Sequence, residues 1–150
     1  IICPSLRVTL VDSLEKRVRF LKEVSLELGL GDRVRAVHSR VEDFARLPAN
    51  REAYDFAVSR AVAKLNVLLE YCLPLVRVGG VFVAMKGPGA EDEMAKSNGA
   101  LARLGGEVYR SHSWCLPGIG ERRTIVVIRK KTKTPSGYPR RGNLPREKPL

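Results

Sequence analysis

The sequence predicts an α/β fold in which a mostly parallel sheet carries an antiparallel hairpin at one edge. Three observations support this prediction. Short apolar runs of β type alternate with segments of helical periodicity as far as residue 104. Two strand-like runs then follow one another without a helix, which is typical of an antiparallel edge. Strands that alternate with helices are joined by right-handed crossovers, so they lie parallel.

The first half of the chain contains five predicted elements. They are a strand, a helix, a strand, a helical turn and a strand, at residues 7–12, 14–28, 33–38, 41–47 and 54–61. The helix has leucine and valine at helical spacing, and it ends at Gly29 and Gly31. Pro48 ends the helical turn, because proline cannot continue a helix. The last of these strands carries Ser59 and Arg60 at its carboxyl end.

The second half also contains five predicted elements. They are a helix, a strand, a helix and two consecutive strands, at residues 64–75, 81–86, 91–104, 107–116 and 124–131. The turn Gly79-Gly80 leads into the first of these strands, and Lys86 ends it. Residues 117–121 form the loop of the edge hairpin, because the last two strands flank them.

A basic tail follows the last strand. From Arg129 to Leu150 the sequence holds eight Lys or Arg against one Glu, a charge of +7, and the remainder carries +4 of the total of +11. The prolines and glycines of the tail prevent a long helix. We therefore expect a domain at residues 1–130 and a tail at residues 131–150. The tail either binds a polyanion such as RNA, the interpretation we favour, or only aids solubility.

The composition argues against several classes of protein. No apolar run approaches the ~20 residues that span a bilayer, and residues 1–4 do not resemble a signal peptide. Three isolated cysteines without a CxxC pair do not form a disulfide framework. Two histidines are too few for a metal site, so we expect no metal and a cytoplasmic location. The GxxxxGK[ST] motif of P-loop nucleotidases is absent.

Asp12 stands between a strand and a helix, and its position allows two interpretations. Ligands of open α/β sheets bind beyond the carboxyl ends of the strands. A lone carboxylate there can accept hydrogen bonds from both hydroxyls of a ribose, so Asp12 and the adjacent Ser13 would bind a nucleoside-containing cofactor. Alternatively, Asp12 or Ser13 only caps the helix, with Glu15 completing a capping box from Asp12.

Polar residues also end other predicted strands on the same rim. The backbone of Val41 suits an adenine ring and Glu42 its amino group, or else Glu42 only stabilises a helix N-terminus. Arg60 binds a carboxylate or phosphate bidentately, or else it forms a structural salt bridge. Lys86 either serves a ligand or is a simple exposed charge. Trp114 packs at the sheet edge or stacks on a base.

Six segments of the chain carry a family resemblance. They read TLVDSLEKRVRFL, SRVEDF, YDFAVSRAVAKL, GGVFVAMKG, ERRTIVVIRK and, in the tail, KTPSGYPRRGNLPREKPL. In order and at matching spacing over nearly the whole chain, they resemble the small-subunit ribosomal RNA guanine-N7 methyltransferases, the RsmG or GidB family. The resemblance implies a class I, Rossmann-like fold that binds S-adenosylmethionine.

The resemblance also implies roles for individual residues. Asp12, with Ser13, would hold the ribose of the cofactor. Val41 and Glu42 would hold the adenine. Arg60 would contribute to cofactor binding, and Arg60 and Lys86 are candidates for orienting the reacting groups. The candidates for RNA contact are the basic residues Lys16, Arg17, Arg40, Lys86, Arg140 and Arg141.

One feature of the family has no counterpart here. The family's first strand and glycine-rich cofactor loop lie just upstream of the segment that matches residue 1. We therefore expect a fragment whose sheet lacks its central strand. The other strands would have to close that gap or leave backbone groups unpaired.

The expected activity is transfer of a methyl group from S-adenosylmethionine to N7 of a guanine in small-subunit ribosomal RNA. The expected partner is that RNA or a ribosomal particle, with neither metal nor membrane. Two alternatives remain open. The chain is a non-catalytic RNA-binding module of the methyltransferase type, or it is a nicotinamide-dependent enzyme that uses the same acid at a strand end.

Overall fold

The strands of this chain form two separate sheets, each within its own compact unit. The computed structural model describes residues 2–118 and 120–150. Unit 1 is Ile1–Phe44 and unit 2 is Ala45–Leu150. Ile119, in the loop predicted at residues 117–121, lies outside the described residues, as does Ile1.

Unit 1 is built on a parallel pair of strands. Strand β1 (Val8–Asp12) pairs with β2 (Val34–His38), in a register that aligns their carboxyl ends. The connecting helix α1 (Glu15–Glu27) buries Val18. Helix α2 (Val41–Arg46) begins just after β2. The predicted order of elements is therefore confirmed in this unit.

Unit 2 contains a four-stranded mixed sheet. Its strands are β3 (Tyr54–Arg60), β4 (Val76–Lys86), β5 (Gly106–Cys115) and β6 (Arg122–Lys130), in the spatial order β3-β4-β6-β5. Strands β3 and β4 are parallel, and β6 runs antiparallel to both β4 and β5. It follows that β3, β4 and β5 all point the same way. The predicted fold class, a parallel sheet with an antiparallel hairpin, is confirmed.

Helices cover one face of this sheet. Helices α3 (Leu65–Cys72) and α5 (Asn98–Leu104) pack on the strands, and α4 (Ala90–Ala95) and α6 (Leu144–Glu147) pack against α3. Leu65 and Leu69 of α3 are fully buried, as are Val126 and Ile128, which alternate along β6. The core of unit 2 therefore lies between these helices and the sheet, where burying each side chain of this size stabilises the fold by about 1.5–3 kcal/mol.

The other face, which we term the outer face, carries Phe56, Val58 and Arg60 of β3. The side chains of Phe56 and Val58 are 60% and 61% exposed. Among the described strands, β3 is also an edge of its sheet. A parallel strand is usually buried on both faces, so β3 departs from the usual pattern in two ways.

Two elements differ from the sequence prediction. The single helix predicted at residues 91–104 is two helices, α4 and α5. The hydroxyl of Ser97, between them, donates to the carbonyl oxygen of Glu93 at 2.6 Å, a bond that competes with the helical backbone. Strand β4 begins five residues earlier than predicted and is irregular before Gly80. A Cβ at Gly80 would lie 2.6 Å from the Asp55 carbonyl oxygen, so only glycine fits there.

The tail packs against unit 2 and is part of it. The Arg51 guanidinium donates to the carbonyl oxygens of Tyr138, Thr134 and Pro135 at 2.7, 2.8 and 3.0 Å. Unit 2 therefore runs through the boundary that the sequence predicts between residues 130 and 131. The physical reason is that buried polar groups of the preceding segment need partners, and the tail supplies them.

Glu70 and Arg140 form a second attachment of the tail. Glu70, on α3, is fully buried. Its Oε1 accepts from the Arg140 Nε at 2.9 Å and backbone N–H at 2.8 Å, and its Oε2 accepts from Nη2 at 2.7 Å. These hydrogen bonds raise the pKa of Arg140 above its usual value. Breaking such a buried pair leaves an uncompensated charge.

Lys130 is the second buried charge beside the tail. Its Nζ donates to the Leu73 carbonyl oxygen at 2.6 Å and to the Thr134 hydroxyl, and it lies 3.3 Å from Glu52 Oε1. Burial lowers the pKa of Lys130 to about 8, an effect that Glu52 partly offsets. The end of β6 is thus tied to both α3 and the tail.

Replacing Arg140 by alanine should lower the free energy of unfolding by about 3 kcal/mol, because it leaves the Glu70 carboxylate buried without its counter-ion. Urea unfolding followed by the fluorescence of Trp114, the only tryptophan, measures this loss. Arg141→Ala is the matched control. Arg141 is exposed, and its loss should change stability by no more than about 0.5 kcal/mol. Equal losses in the two variants would contradict the assignment.

Stability should rise between pH 8 and 10.5, the interval between the folded and the ordinary pKa of Lys130. In that interval the unfolded chain holds a proton on Lys130 that the folded chain has released, so raising the pH favours folding. The gain is at most about 3 kcal/mol. Unfolding midpoints over this pH range measure it. Lys130→Met should remove the rise, and a rise of the same size in that variant would rule out Lys130 as its source.

Candidate functional site

The carboxyl ends of β1 and β2 form one rim in unit 1. Asp12, the last residue of β1, lies in register with His38, the last residue of β2. The Asp12 Oδ1 accepts from the Leu14 backbone N–H at 2.8 Å, and Oδ2 lies 3.4 Å from the Arg17 Nη1. The Asp12 side chain remains 25% exposed. The carboxylate is therefore fixed at the rim and still reachable.

The capping alternative for Asp12 is realised only in part. Asp12 bonds the N–H two residues ahead, which is an Asx turn leading into α1. Glu15 instead pairs with Arg19 at 3.0 Å, and no bond between Glu15 and Asp12 occurs among the described residues. An ionised carboxylate has about four acceptor positions. Shaping the turn therefore leaves Asp12 able to accept further hydrogen bonds.

Ser13 and His38 connect the two strand ends. The His38 Nε2 lies 3.0 Å from the Ser13 carbonyl oxygen. The sequence does not predict this bond. The available signal was the position of His38 at the end of β2, where a polar ring faces the neighbouring strand end.

Glu42 is buried and paired rather than open to a ligand. Its side chain is 4% exposed, and Oε1 accepts from the Arg40 Nε at 2.8 Å. The Arg40 side chain is 46% exposed. Arg40, which the sequence suggests for RNA contact, is therefore also the counter-ion of Glu42. Val41 begins α2, so its backbone N–H has no partner within the helix.

In unit 2, the parallel strands bring Arg60 and Lys86 to one edge, on opposite faces of the sheet. Arg60 is exposed on the outer face at the end of β3. The next residue, Ala61, has a φ of 54°, in the left-handed region. The hydroxyl oxygen of Ser59 is buried and makes no hydrogen bond within the described part of the chain. Strained backbone of this kind is frequent at functional sites.

Lys86 is held inside unit 2. Its side chain is 11% exposed, and Nζ lies 2.7 Å from Glu93 Oε2 and donates to the Ala63 carbonyl oxygen at 2.8 Å. Glu93 Oε2 also accepts from the Leu65 backbone N–H at 2.6 Å. Lys86 therefore fixes the segment between β3 and α3. It differs in this from both sequence interpretations, a ligand-binding cation and a simple exposed charge.

The remaining candidates for RNA contact fall into two groups. Lys16 and Arg17 are exposed on α1, and Arg141 is exposed in the tail. Arg140 is bound to the buried Glu70 and has little surface. The sequence could not distinguish Arg140 from Arg141, because the partner of Arg140 lies seventy residues away.

Other chemistry has little support among the described residues. No three His, Cys, Asp or Glu side chains there come together as a metal site would require. Burial raises the pKa of the Cys72 thiol to about 12, so Cys72 is not a nucleophile. No helix in the described ranges is long and apolar enough to cross a membrane.

Comparison with known proteins decides the family. Residues 1–125 match the family model described as GidB, rRNA small subunit methyltransferase G. The chain belongs to this family. It is 50% identical over 150 residues to the Ribosomal RNA small subunit methyltransferase G of Lactobacillus helveticus (strain DPC 4571), covering all of this chain and 62% of that protein. It is 48% identical over 147 residues to the same-named protein of Geobacillus kaustophilus (strain HTA426), covering 98% of this chain and 61% of that protein. The chain thus spans about three fifths of these family members.

Solved structures agree on the fold. An O-methyltransferase from Bacillus cereus, in complex with SAH, matches with a TM-score of 0.61 and 18% identity, over 83% of this chain and 63% of that one. Geranyl diphosphate C-methyltransferase from Streptomyces coelicolor A3(2) matches with a TM-score of 0.60 and 14% identity, over 83% of this chain and 64% of that one. The fold of this family member is therefore that of class I methyltransferases.

Replacing Ala61 by glycine should raise the free energy of unfolding by up to about 1.5 kcal/mol. Glycine removes the left-handed strain of about 1–2 kcal/mol, offset by a loss of about 0.5–1 kcal/mol in chain entropy. Urea unfolding followed by Trp114 fluorescence measures the change. Ala57→Gly, within β3, should instead lower stability by about 0.5–1 kcal/mol. A similar loss in both variants would show that Ala61 is not strained.

Proposed function

We propose that the protein to which this chain belongs transfers a methyl group from S-adenosylmethionine to N7 of a guanine in small-subunit ribosomal RNA. We further propose that unit 1 binds the nucleoside part of that cofactor. The observation that carries this proposal is the Asp12 carboxylate, fixed and partly exposed at the carboxyl end of β1. Membership of the rRNA small subunit methyltransferase G family supports the RNA substrate.

The donor set of the unit 1 rim fits a nucleoside. Asp12 has acceptor positions beyond the one that Leu14 uses, and two adjacent ribose hydroxyls can fill them. Arg17, at 3.4 Å and on an exposed side chain, is a weak competitor. Ser13 is held by His38, which keeps the turn after β1 in place. Hydrogen bonds to a charged acceptor contribute about 1.5–3 kcal/mol each.

We assign the adenine to the backbone at the start of α2 rather than to the Glu42 carboxylate. Glu42 is buried and bonded to Arg40. The Val41 N–H, unpaired within the helix, can donate to a ring nitrogen. Glu42 then acts as a positioning residue, because its pairing with Arg40 fixes the turn between β2 and α2. Val41 thus keeps the backbone contact to the adenine that the sequence suggests, whereas Glu42 supports that contact without touching the adenine.

The chemistry makes few demands on this chain's residues. S-adenosylmethionine, when bound, supplies a methyl group activated by a sulfonium. Guanine N7 carries a lone pair and no proton, so the chain need not provide a general base. Its residues contribute by binding and alignment, which can supply about 7–11 kcal/mol. We propose Arg60 for holding a phosphate or a carboxylate, because it is the exposed cation at the unit 2 rim. Lys86 positions the segment after Arg60.

The proposal also fixes partner and location. The substrate is ribosomal RNA, free or in a ribosomal particle, and we place the protein in the cytoplasm. The exposed cations Lys16, Arg17 and Arg141 would provide phosphate attraction that does not depend on sequence.

Isothermal titration of S-adenosylhomocysteine into the chain tests the assignment of Asp12. Asp12→Ala should weaken binding at least about tenfold, because the ribose loses a charged acceptor. Asp43→Ala is the matched control, since Asp43 is an exposed acid of unit 1 that lies in the first turn of α2. Circular dichroism of all three proteins verifies folding.

Equal affinities in the Asp12 and Asp43 variants would refute the ribose assignment. Absence of binding by the folded wild-type chain would refute cofactor binding by unit 1 alone, and it would favour the non-catalytic RNA-binding alternative. Preference for NAD over S-adenosylhomocysteine in the same titration would favour the nicotinamide alternative.

A further inference from the structure

Strand β5 lies at an edge of the unit 2 sheet and is exposed along its length. Among the described strands it is the last in the order β3-β4-β6-β5, and each of its residues after Gly106 is exposed. Two aromatic side chains of β5 are exposed to solvent. Tyr109 is 52% exposed and Trp114 is 38% exposed. The exposure of these rings needs an explanation, because burying aromatic side chains would stabilise the fold.

His112 and Trp114 already form a short stack. They are two residues apart on β5, so they share a face, and they pair with Ile125 and Arg123 of β6. Their ring centroids are 5.7 Å apart, with an angle of 25° between the ring planes. A nucleobase can extend a stack of this kind as a third ring, because every base has a π face.

Two guanidinium groups lie over the ring of Tyr109. The Arg129 Cζ is 3.9 Å from the centre of the Tyr109 ring, and the Arg110 Cζ is 5.8 Å from it. Glu107, which is opposite Arg129 across the strand pair, forms its ion pair with Lys131 at 3.5 Å. The positive charge near Tyr109 is therefore available to phosphate. Bases stack on guanidinium planes as well as on aromatic rings.

The sheet register connects this side of β5 to the rim. Arg60 pairs with Met85, Met85 with Ile125, and Ile125 with His112. Paired residues project from the same face, so Arg60 and His112 both lie on the outer face. Three strand spacings of ~4.8 Å place them about 14 Å apart. A bound strand could thus reach from β5 to the rim within unit 2.

We propose that Tyr109, Arg110, His112 and Trp114, together termed the stacking strip, bind an unpaired stretch of RNA through its bases. The proposal rests on the proposed function and names a contact surface for its RNA substrate. From Tyr109 to Trp114 the strip spans about 17 Å at ~3.3 Å per residue, the length of about five nucleotides at ~3.4 Å each. RNA is favoured over a protein partner because the strip combines stacked rings with arginines on a chain of net charge +11.

The fluorescence of Trp114 tests the proposal directly, because it is the only tryptophan of the chain. The probe is an oligouridylate of about ten nucleotides, within the usual site size of single-strand binders. The comparison ligand is an abasic ribose-phosphate strand of equal length and charge. Base stacking should quench Trp114 emission with the oligouridylate and leave it unchanged with the abasic strand. Equal responses to the two strands, or no response to either, would overturn the proposal.

The fluorescence anisotropy of a labelled oligouridylate measures its affinity for the chain, and this measurement tests the contributions of Tyr109 and His112. Tyr109→Ala and His112→Ala should each weaken binding about fivefold or more. Phe20→Ala is the matched control, because Phe20 is an aromatic side chain on α1 that is 62% exposed. Its affinity should equal that of the wild type. The proposal fails if all three variants bind alike.

The stacking strip and the proposed function can fail separately. Titration of S-adenosylhomocysteine into the same preparation reports on unit 1, and Trp114 quenching reports on β5. Quenching without cofactor binding would refute the cofactor assignment and uphold the strip. Cofactor binding without quenching would uphold that assignment and refute the strip, which would then be a candidate surface for a protein partner.

Discussion

Two titratable side chains, Glu70 and Lys130, are fully buried in unit 2, and their need for partners governs how the unit is built. A buried charge without a counter-ion costs several kcal/mol. Arg140 compensates Glu70, while Lys130 has Glu52, Thr134 and the end of α3. Helix α3 can therefore occupy the core only when residues 131–150 are folded against it. This basic segment therefore contributes to the stability of unit 2 in addition to its electrostatic effect.

Carboxylates at the strand ends of unit 1 are also paired with cations. Asp12 pairs with Arg17, and Glu42 pairs with Arg40, in each case within a few residues of chain. Arg17 and Arg40, two of the candidates for contact with RNA phosphate, are therefore also counter-ions of rim carboxylates. In unit 2 the two cations at strand ends have different environments. Lys86 is enclosed by Glu93, whereas Arg60 stays exposed. The ends of β3 and β4 thus carry one accessible cation, Arg60, and one cation that is bound within the fold, Lys86.

Local pattern was sufficient to predict the strands and most of the helices, because apolar periodicity and the residues that end an element act over a few positions. It also predicted that Asp12 stands where a strand runs directly into a helix, which the structure places at the end of β1. It failed at Ser97, where one hydroxyl divides a helix. It also failed for Arg140 and Lys130, whose partners on α3 and in the preceding loops are distant in sequence. Whether a cation is buried in an ion pair or exposed depends on such distant partners, and the composition of a segment does not reveal them.

The exposed edge strand β3 has a consequence for the behaviour of the chain in solution. An edge with unpaired backbone groups and apolar side chains such as Phe56 and Val58 is a template for joining a second strand. At low ionic strength, the net charge of +11 keeps copies of the chain apart. Added salt shortens the Debye length to about 10 Å at 0.1 M and weakens this repulsion. The colloidal stability of the purified chain should therefore fall as salt is added, contrary to the salting-in usually expected of a strongly basic protein.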